Sequence, residues 1–216
     1  QKDSETRIQQ QARNIIERQV GKLQHLVDDL LEVSRITSGR VQLRQEWVAV
    51  SGIAEGAVET VRPLMEQRHH ELDIILPVEP IWLHADASRL DQVLVNLLTN
   101  AAKYTEEGGH VWLIVARESD ECVIRVRDSG VGIAPTLLPQ IFDLFTQAER
   151  SLDRSQGGLG IGLALVQRLT ELHGGSVEAF SKPGEGSEFI VRLPLLSDDS
   201  PHSADIAIKA DQASHA

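Results

Sequence analysis

The chain has 216 residues, of which 41% are hydrophobic and 25% charged, enough apolar material for one well-cored domain plus an accessory element, which excludes disorder throughout. Lys and Arg total 21 against 32 Asp and Glu, a net charge of -11 with no long basic block, so nonspecific binding to nucleic acid or to an anionic membrane is disfavoured. No apolar run approaches the roughly 18 residues that cross a bilayer, and the single cysteine, Cys122, excludes an internal disulfide and reads as a small packed hydrophobe. The first residue is Gln rather than Met, which reads as a piece of something longer whose membrane anchor, if it has one, lies on other segments.

From Ser4 to Ser38 nothing breaks a helix, and Ile16, Val20, Leu23, Val27 and Leu30 recur at alternating steps of four and three. The stripe fits a multi-helix bundle between chains, the plainer alternative being an amphipathic helix lying on its own domain. Gly39 is the stop signal. Period-two alternation from Val41 to Val48 predicts a strand, and Ser51 is placed as the N-cap of a helix running to about Arg68. Short strands are expected at 72–76 and 81–84, then a strong helix at 90–104 with Val93, Leu94, Leu97, Leu98 and Ala101 on one face. Glu107-Gly108-Gly109 turns the chain into strands at 110–116 and 122–126. The stretch from Asp128 to about Gly162 is rich in Gly, Ser and Asp and too long for an idle connection. A helix at 161–172, ended at His173-Gly174-Gly175, and strands at 176–181 and 187–193 complete the domain. After Pro194 the Ser-, Asp- and Ala-rich remainder reads as a linker or disordered tail. The expected architecture is an α/β two-layer sandwich, with helices on one face of a mixed sheet. Its boundaries are 1–39 for the long helix, 40–195 for the domain and 196–216 for the tail.

Three glycine clusters carry the chemical signal: Asp128-Ser-Gly130-Val-Gly132-Ile133 after a strand, Gly157-Gly158-Leu159-Gly160-Ile-Gly162-Leu163 opening a helix, and Gly184-Glu-Gly186-Ser187. Each alone can be a tight turn. Glycines also let backbone approach a ligand, and a glycine turn at a helix N-terminus offers free N–H groups to a phosphate. No Lys-Ser or Lys-Thr follows the second cluster, so it is not a Walker loop. On the preceding helix, steps of four and three put Asn96, Asn100 and Lys103 on one face. Asparagine is a poor helix former, and two of them one turn apart read as ligand-facing amides rather than surface decoration. An amide oxygen can ligate Mg²⁺ without adding negative charge beside a triphosphate, and a lysine offsets phosphate charge.

Taken together, the motifs resemble those of sensor histidine kinases. Asn96-x-x-x-Asn100-Ala-x-Lys103-Tyr104 is similar to the family's N box, Asp128-x-Gly130-x-Gly132 to its G1 box, Phe142-Asp143-x-Phe145 to its F box and Gly158-x-Gly160-x-Gly162-Leu163 to its G2 box, all in the family's order. The resemblance spans about Arg35 to Pro194. It implies the Bergerat ATP-binding fold, shared with gyrase, heat-shock chaperone and mismatch-repair ATPases. It further implies that the long helix is the second helix of a dimerisation and phosphotransfer hairpin. On this likeness Asp128 accepts from the adenine amine, Gly130, Gly132 and Ile133 line the base, and Ser187 joins the polar group around Asp128. Tyr104 and Phe142 border the nucleotide, Asn100 ligates Mg²⁺, and Lys103 and the backbone from Gly158 through Leu159, Gly160 and Gly162 to Leu163 meet the phosphates.

Residues 144–156 become a lid over ATP, with Arg150 or Arg154 reaching the phosphates. Asn96 stands where gyrase-type relatives place a glutamate base, so hydrolysis is expected to be slow. None of the eight histidines has the family's H-box context. His70, the nearest imitation, precedes what reads as a strand inside the domain, His25 lies on the long helix, and His173 closes a helix. The acceptor histidine is therefore expected upstream of Gln1. The implied partners are a second copy through the hairpin and the receiver domain of a response regulator, with a cytoplasmic location and any membrane contact through other segments. The competing expectations are a Bergerat-type ATPase and a non-catalytic nucleotide-binding regulatory module.

Overall fold

The computed structural model describes residues 42–147 and 160–195, together with Arg13, Ile16, Val20 and Gly21. The elements run β1 (Glu46–Ala49), α1 (Val50–Gln67), β2 (Glu71–Ile75), β3 (Trp82–Ala85), α2 (Ala87–Tyr104), β4 (His110–Glu118), β5 (Glu121–Asp128), a 3-10 turn (Leu138–Gln140), α3 (Gly162–Leu172), β6 (Ser176–Lys182) and β7 (Gly186–Pro194). Five strands form one mixed sheet in the order β2-β4-β5-β7-β6, with β2 parallel to β4 and the other neighbours antiparallel. β1 and β3 pair antiparallel as a separate two-stranded ribbon.

One sheet face is apolar because alternate residues point the same way: Val111, Leu113 and Val115 of β4, Ile124 and Val126 of β5, and Phe189, Val191 and Leu193 of β7 are all buried. Against them lie Leu90, Val93, Leu94, Leu97, Leu98, Ala101 and Ala102 of α2, Val58, Val61 and Met65 of α1, and Leu165, Val166 and Leu169 of α3, in one continuous core. The expected two-layer mixed sheet is thus present, as is the expected apolar face of the central helix. Cys122 is buried at the end of that core, and its thiol is pushed up to about 12 by burial, which makes it an inert packing group.

Two expectations are corrected. Ser51 does not cap α1: the helix begins at Val50, position 49 has no side-chain cap, and the Val50 N–H is satisfied instead by the Ile81 carbonyl at 3.0 Å. The central helix starts at Ala87, three residues earlier than its apolar pattern suggests, because Asp86 caps it through Oδ1 to the N–H groups of Ser88 and Arg89 at 3.1 and 3.2 Å. Of the expected long-helix stripe, Ile16 and Val20 are helical and exposed, at 62% and 48%. Leu23, Val27 and Leu30, and the tail from residue 196, lie outside the described residues.

Candidate nucleotide site

Asp128 is the last residue of β5, on the side of the sheet that faces the helices, and is only 4% exposed. Its Oδ1 accepts from the N–H of Gly130 at 2.8 Å and from the N–H of Ser187 at 3.2 Å. Among the described residues nothing donates to Oδ2. Burial raises the carboxyl above its ordinary value, and the two backbone hydrogen bonds offset part of that rise. A desolvated carboxylate with one oxygen still to be satisfied is a specific acceptor for an amine or amide donor.

The glycines around it make this geometry possible. Gly186 has φ +83°, and a Cβ there would fall 1.9 Å from the Asp128 carbonyl oxygen, so β7 can lie against β5 at this point only without a side chain. Gly132 has φ +69°, and a Cβ would fall 2.1 Å from the Lys182 carbonyl. The loop after β5 is docked on two sides. The Val131 N–H donates to the carbonyl of Tyr104 at 3.1 Å, which fixes the loop to the C-terminal end of α2, and the Ile133 N–H donates to Ser181 Oγ at 2.8 Å, which fixes it to β6.

Asn96, Asn100 and Lys103 sit on α2, partly buried, on the helix face predicted by their spacing. The N-terminus of α3 approaches that face: a Cβ built at Gly162 would lie 3.1 Å from Asn96 Oδ1. The second glycine cluster therefore ends beside the asparagine face. Gly160 has φ +72°, and its carbonyl accepts from the Phe145 N–H at 3.0 Å, so the F-box-like segment is tied to the start of α3. Phe142 packs edge-on against Phe189 with ring centroids 6.5 Å apart and faces the core, whereas Phe145 is exposed with φ +66°. Tyr104 is 49% exposed, and its carbonyl rather than its ring makes the contact to the loop after β5. Leu163 is partly buried against the core. Gly158, Leu159, Arg150, Arg154 and most of the expected lid, residues 148–156, lie outside the described residues, as does His25.

Asp128, Gly130 and Ser187 are joined by hydrogen bonds, the loop that carries Gly132 and Ile133 is tied to the C-terminal end of α2 through Val131, and Gly162 at the start of α3 lies beside Asn96, one and two turns before Asn100 and Lys103 on α2. Ser187 meets Asp128 through its backbone N–H, while its hydroxyl lies 3.0 Å from Ser181 Oγ. Ser181 stands outside the four boxes, and its contacts come from the hairpin pairing. The signal was present in Ser181-Lys-Pro-Gly-Glu-Gly-Ser187, where a turn centred on Pro183–Glu185 brings the two serines opposite each other. The two buried histidines of the domain have structural partners. His70 directs Nε2 to the Ala102 carbonyl at 3.0 Å, just ahead of β2. His173 donates Nδ1–H to the Leu169 carbonyl at 2.7 Å and accepts the Asp86 N–H at Nε2, 3.1 Å. Among the described residues no group of three or more His, Cys, Asp or Glu could hold a metal ion.

A family described as "Histidine kinase-, DNA gyrase B-, and HSP90-like ATPase" matches residues 85–197. The circadian input-output histidine kinase CikA of Synechococcus elongatus is 38% identical over 177 residues, covering 80% of this chain and 23% of that protein. The sensor histidine kinase WalK of Bacillus subtilis is 33% identical over 182 residues, covering 83% of this chain and 30% of its own length. The chain thus spans about a quarter to a third of these relatives. Among solved structures, full-length ShkA in complex with AMPPNP superposes with a TM-score of 0.73 at 31% identity, covering 85% of this chain and 38% of that one. The histidine kinase AdeS of Acinetobacter baumannii shares the fold, with a TM-score of 0.69 at 24% identity over 82% of this chain and 81% of its own.

Proposed function

Because the chain belongs to the histidine kinase-, DNA gyrase B-, and HSP90-like ATPase family, we propose that residues 40–195 are the ATP-binding catalytic domain of a sensor histidine kinase, donating the γ-phosphoryl group of ATP to a histidine for relay to a response-regulator aspartate. The observation that carries this reading is Asp128, a buried carboxylate whose Oδ1 is held by two backbone N–H groups and whose Oδ2 is left for a donor. The exocyclic amine of adenine supplies that donor. Gly130, Gly132 and Ile133 lie under the base, with Tyr104 and Phe142 at its borders. Lys103 and the backbone from Gly158 through Leu159 and Gly160 to Gly162 and Leu163 bind the phosphates, where the N-terminal end of α3 favours negative charge.

The carboxamides of Asn96 and Asn100 on α2 fit Mg²⁺, since neutral oxygen donors suit an ion that keeps most of its ligands as phosphate oxygens and water, while the Lys103 charge serves the phosphates. Asn100 would hold the ion, which when bound would supply positive charge to the phosphates. Asn96 lies beside Gly162 at the phosphate end and has no proton-accepting group at neutral pH, so water is not activated and the phosphoryl group is kept for a protein nucleophile. The exposed Ile16 and Val20 support a dimerising helix, and a response-regulator receiver domain is the second partner. Among the described residues no helix is long and apolar enough to cross a membrane. Calorimetric titration with Mg-ATP tests the assignment: Asp128→Ala should lose a charge-assisted hydrogen bond of about 1.5–3 kcal/mol, roughly 10- to 100-fold in affinity. Equal affinity in wild type and variant would remove Asp128 from the site.

A further inference from the structure

The structure assigns to Ser181 the role of setting which nucleobase the Asp128 site accepts, by fixing the direction of the Ser187 hydroxyl. A serine hydroxyl has one hydrogen and two acceptor positions. Ser181 Oγ lies 2.7 Å from the Gly186 carbonyl oxygen, which can only accept, so the Ser181 hydrogen is spent there. The Ile133 N–H occupies one Ser181 lone pair at 2.8 Å. The remaining contact, 3.0 Å between the two hydroxyl oxygens, can then be made only with Ser187 donating. Ser187 is directly opposite Asp128 in the β5–β7 register, is buried, and gives its backbone N–H to Asp128 Oδ1. With its hydrogen drawn to Ser181, Ser187 Oγ presents only lone pairs beside the carboxylate.

The two residues then form an edge made solely of acceptors. A base bearing an exocyclic amine satisfies such an edge with its N–H groups, whereas a base with a carbonyl oxygen at the same position places acceptor against acceptor. Ser181 is a positioning residue, since it acts through Ser187 and the loop at Ile133 rather than on the nucleotide. This inference rests on the proposed ATP reading of the site.

The test compares wild-type chain with Ser181→Ala and Ser181→Thr, measuring affinities for ATP and for inosine triphosphate, which carries a carbonyl oxygen in place of the exocyclic amine and a hydrogen on the adjacent ring nitrogen. Wild type should prefer ATP. Ser181→Ala frees the Ser187 hydrogen to turn toward the ligand, and the ATP-to-inosine preference should fall about tenfold, the size of one hydrogen bond. Ser181→Thr keeps the hydroxyl and should restore the preference. A merely structural loss would weaken both nucleotides alike and leave their ratio unchanged, and that result would overturn the inference while Asp128→Ala still reported the site. If Ser181→Ala fails to fold by circular dichroism, Ser187→Ala supplies the decision: it removes the acceptor itself, and an unchanged ratio there also overturns the inference. Wild type binding neither nucleotide would overturn the ATP reading and this inference together.

Discussion

At the scale of single residues, two buried groups couple protonation to stability with opposite signs. Asp128 is raised above its ordinary value by burial, so the folded apo chain disfavours the ionised form, and this contribution to stability is lost as pH rises through the folded value. Asp128→Asn should therefore leave apo stability equal or higher near pH 7, with the difference shrinking as pH falls below the carboxylate range. The same variant should bind ATP more weakly, because an amide hydrogen meets the adenine amine. Chemical denaturation at pH 7 and pH 4 beside an ATP titration checks both halves, and a variant that loses stability at pH 7 contradicts the desolvation account. His173 has the reverse sense. Burial lowers it, against the Leu169 carbonyl and Asp86, and both ring nitrogens are used by the neutral tautomer. The unfolded chain binds the extra proton, so stability should fall as pH drops below about 6.5, the ordinary histidine value. Denaturation at pH 7.5 and 5.5 should show a smaller pH effect in His173→Gln than in wild type.

At the scale of elements, α2 organises the site, and its N-terminus shows what periodicity can and cannot read. Its apolar face was legible because Val93, Leu94, Leu97, Leu98 and Ala101 repeat with the helical period and all five are buried. Its start was not, because Asp86 works through partners that no local pattern reveals: Oδ2 takes the Arg44 N–H at 2.9 Å, and the Asp86 N–H reaches His173, 87 positions away. Burial opposes the charge on Asp86, but the Ser88 hydroxyl and the Arg44 and Arg89 N–H groups outweigh it and hold the carboxyl below its ordinary value. This contribution is present above the carboxylate range and lost as pH falls through the folded value. Asp86→Ala should cost about 2 kcal/mol, a fall in melting temperature of roughly 4–8 °C for a chain of this size. A drop under about 1 °C would mean that the cap is not holding the helix. The β6–β7 hairpin teaches the same lesson: both strands and the turn were readable, yet Ser181 acquires its role only when pairing sets it against Ser187.

For the whole molecule, the order of the four boxes was legible because each is short and glycine- or asparagine-marked, and the sheet order that brings them together was not. β2 and β4 are parallel neighbours across α2, and β7 inserts between β5 and β6, so Asp128 and Ser187 meet from positions 59 residues apart. The separate β1–β3 ribbon was equally hidden, since two short strands separated by α1 and β2 carry no mark of their pairing. Exposed Ile16 and Val20 on a helical segment predict concentration-dependent association, because an apolar stripe left in water is satisfied by another helix. Sedimentation velocity over a wide concentration range should show a shifting average mass, and a concentration-independent monomer would put the stripe on its own domain. The central claim is that this chain holds ATP for transfer, without a base for hydrolysis and without the acceptor among its own histidines. Incubation with γ-labelled ATP measures all three at once. The account predicts saturable retention of intact ATP that is weakened in Asp128→Ala, slow release of phosphate, and no covalent label on the protein. Rapid phosphate release, or acid-labile and alkali-stable label on His25 or His70, would contradict it.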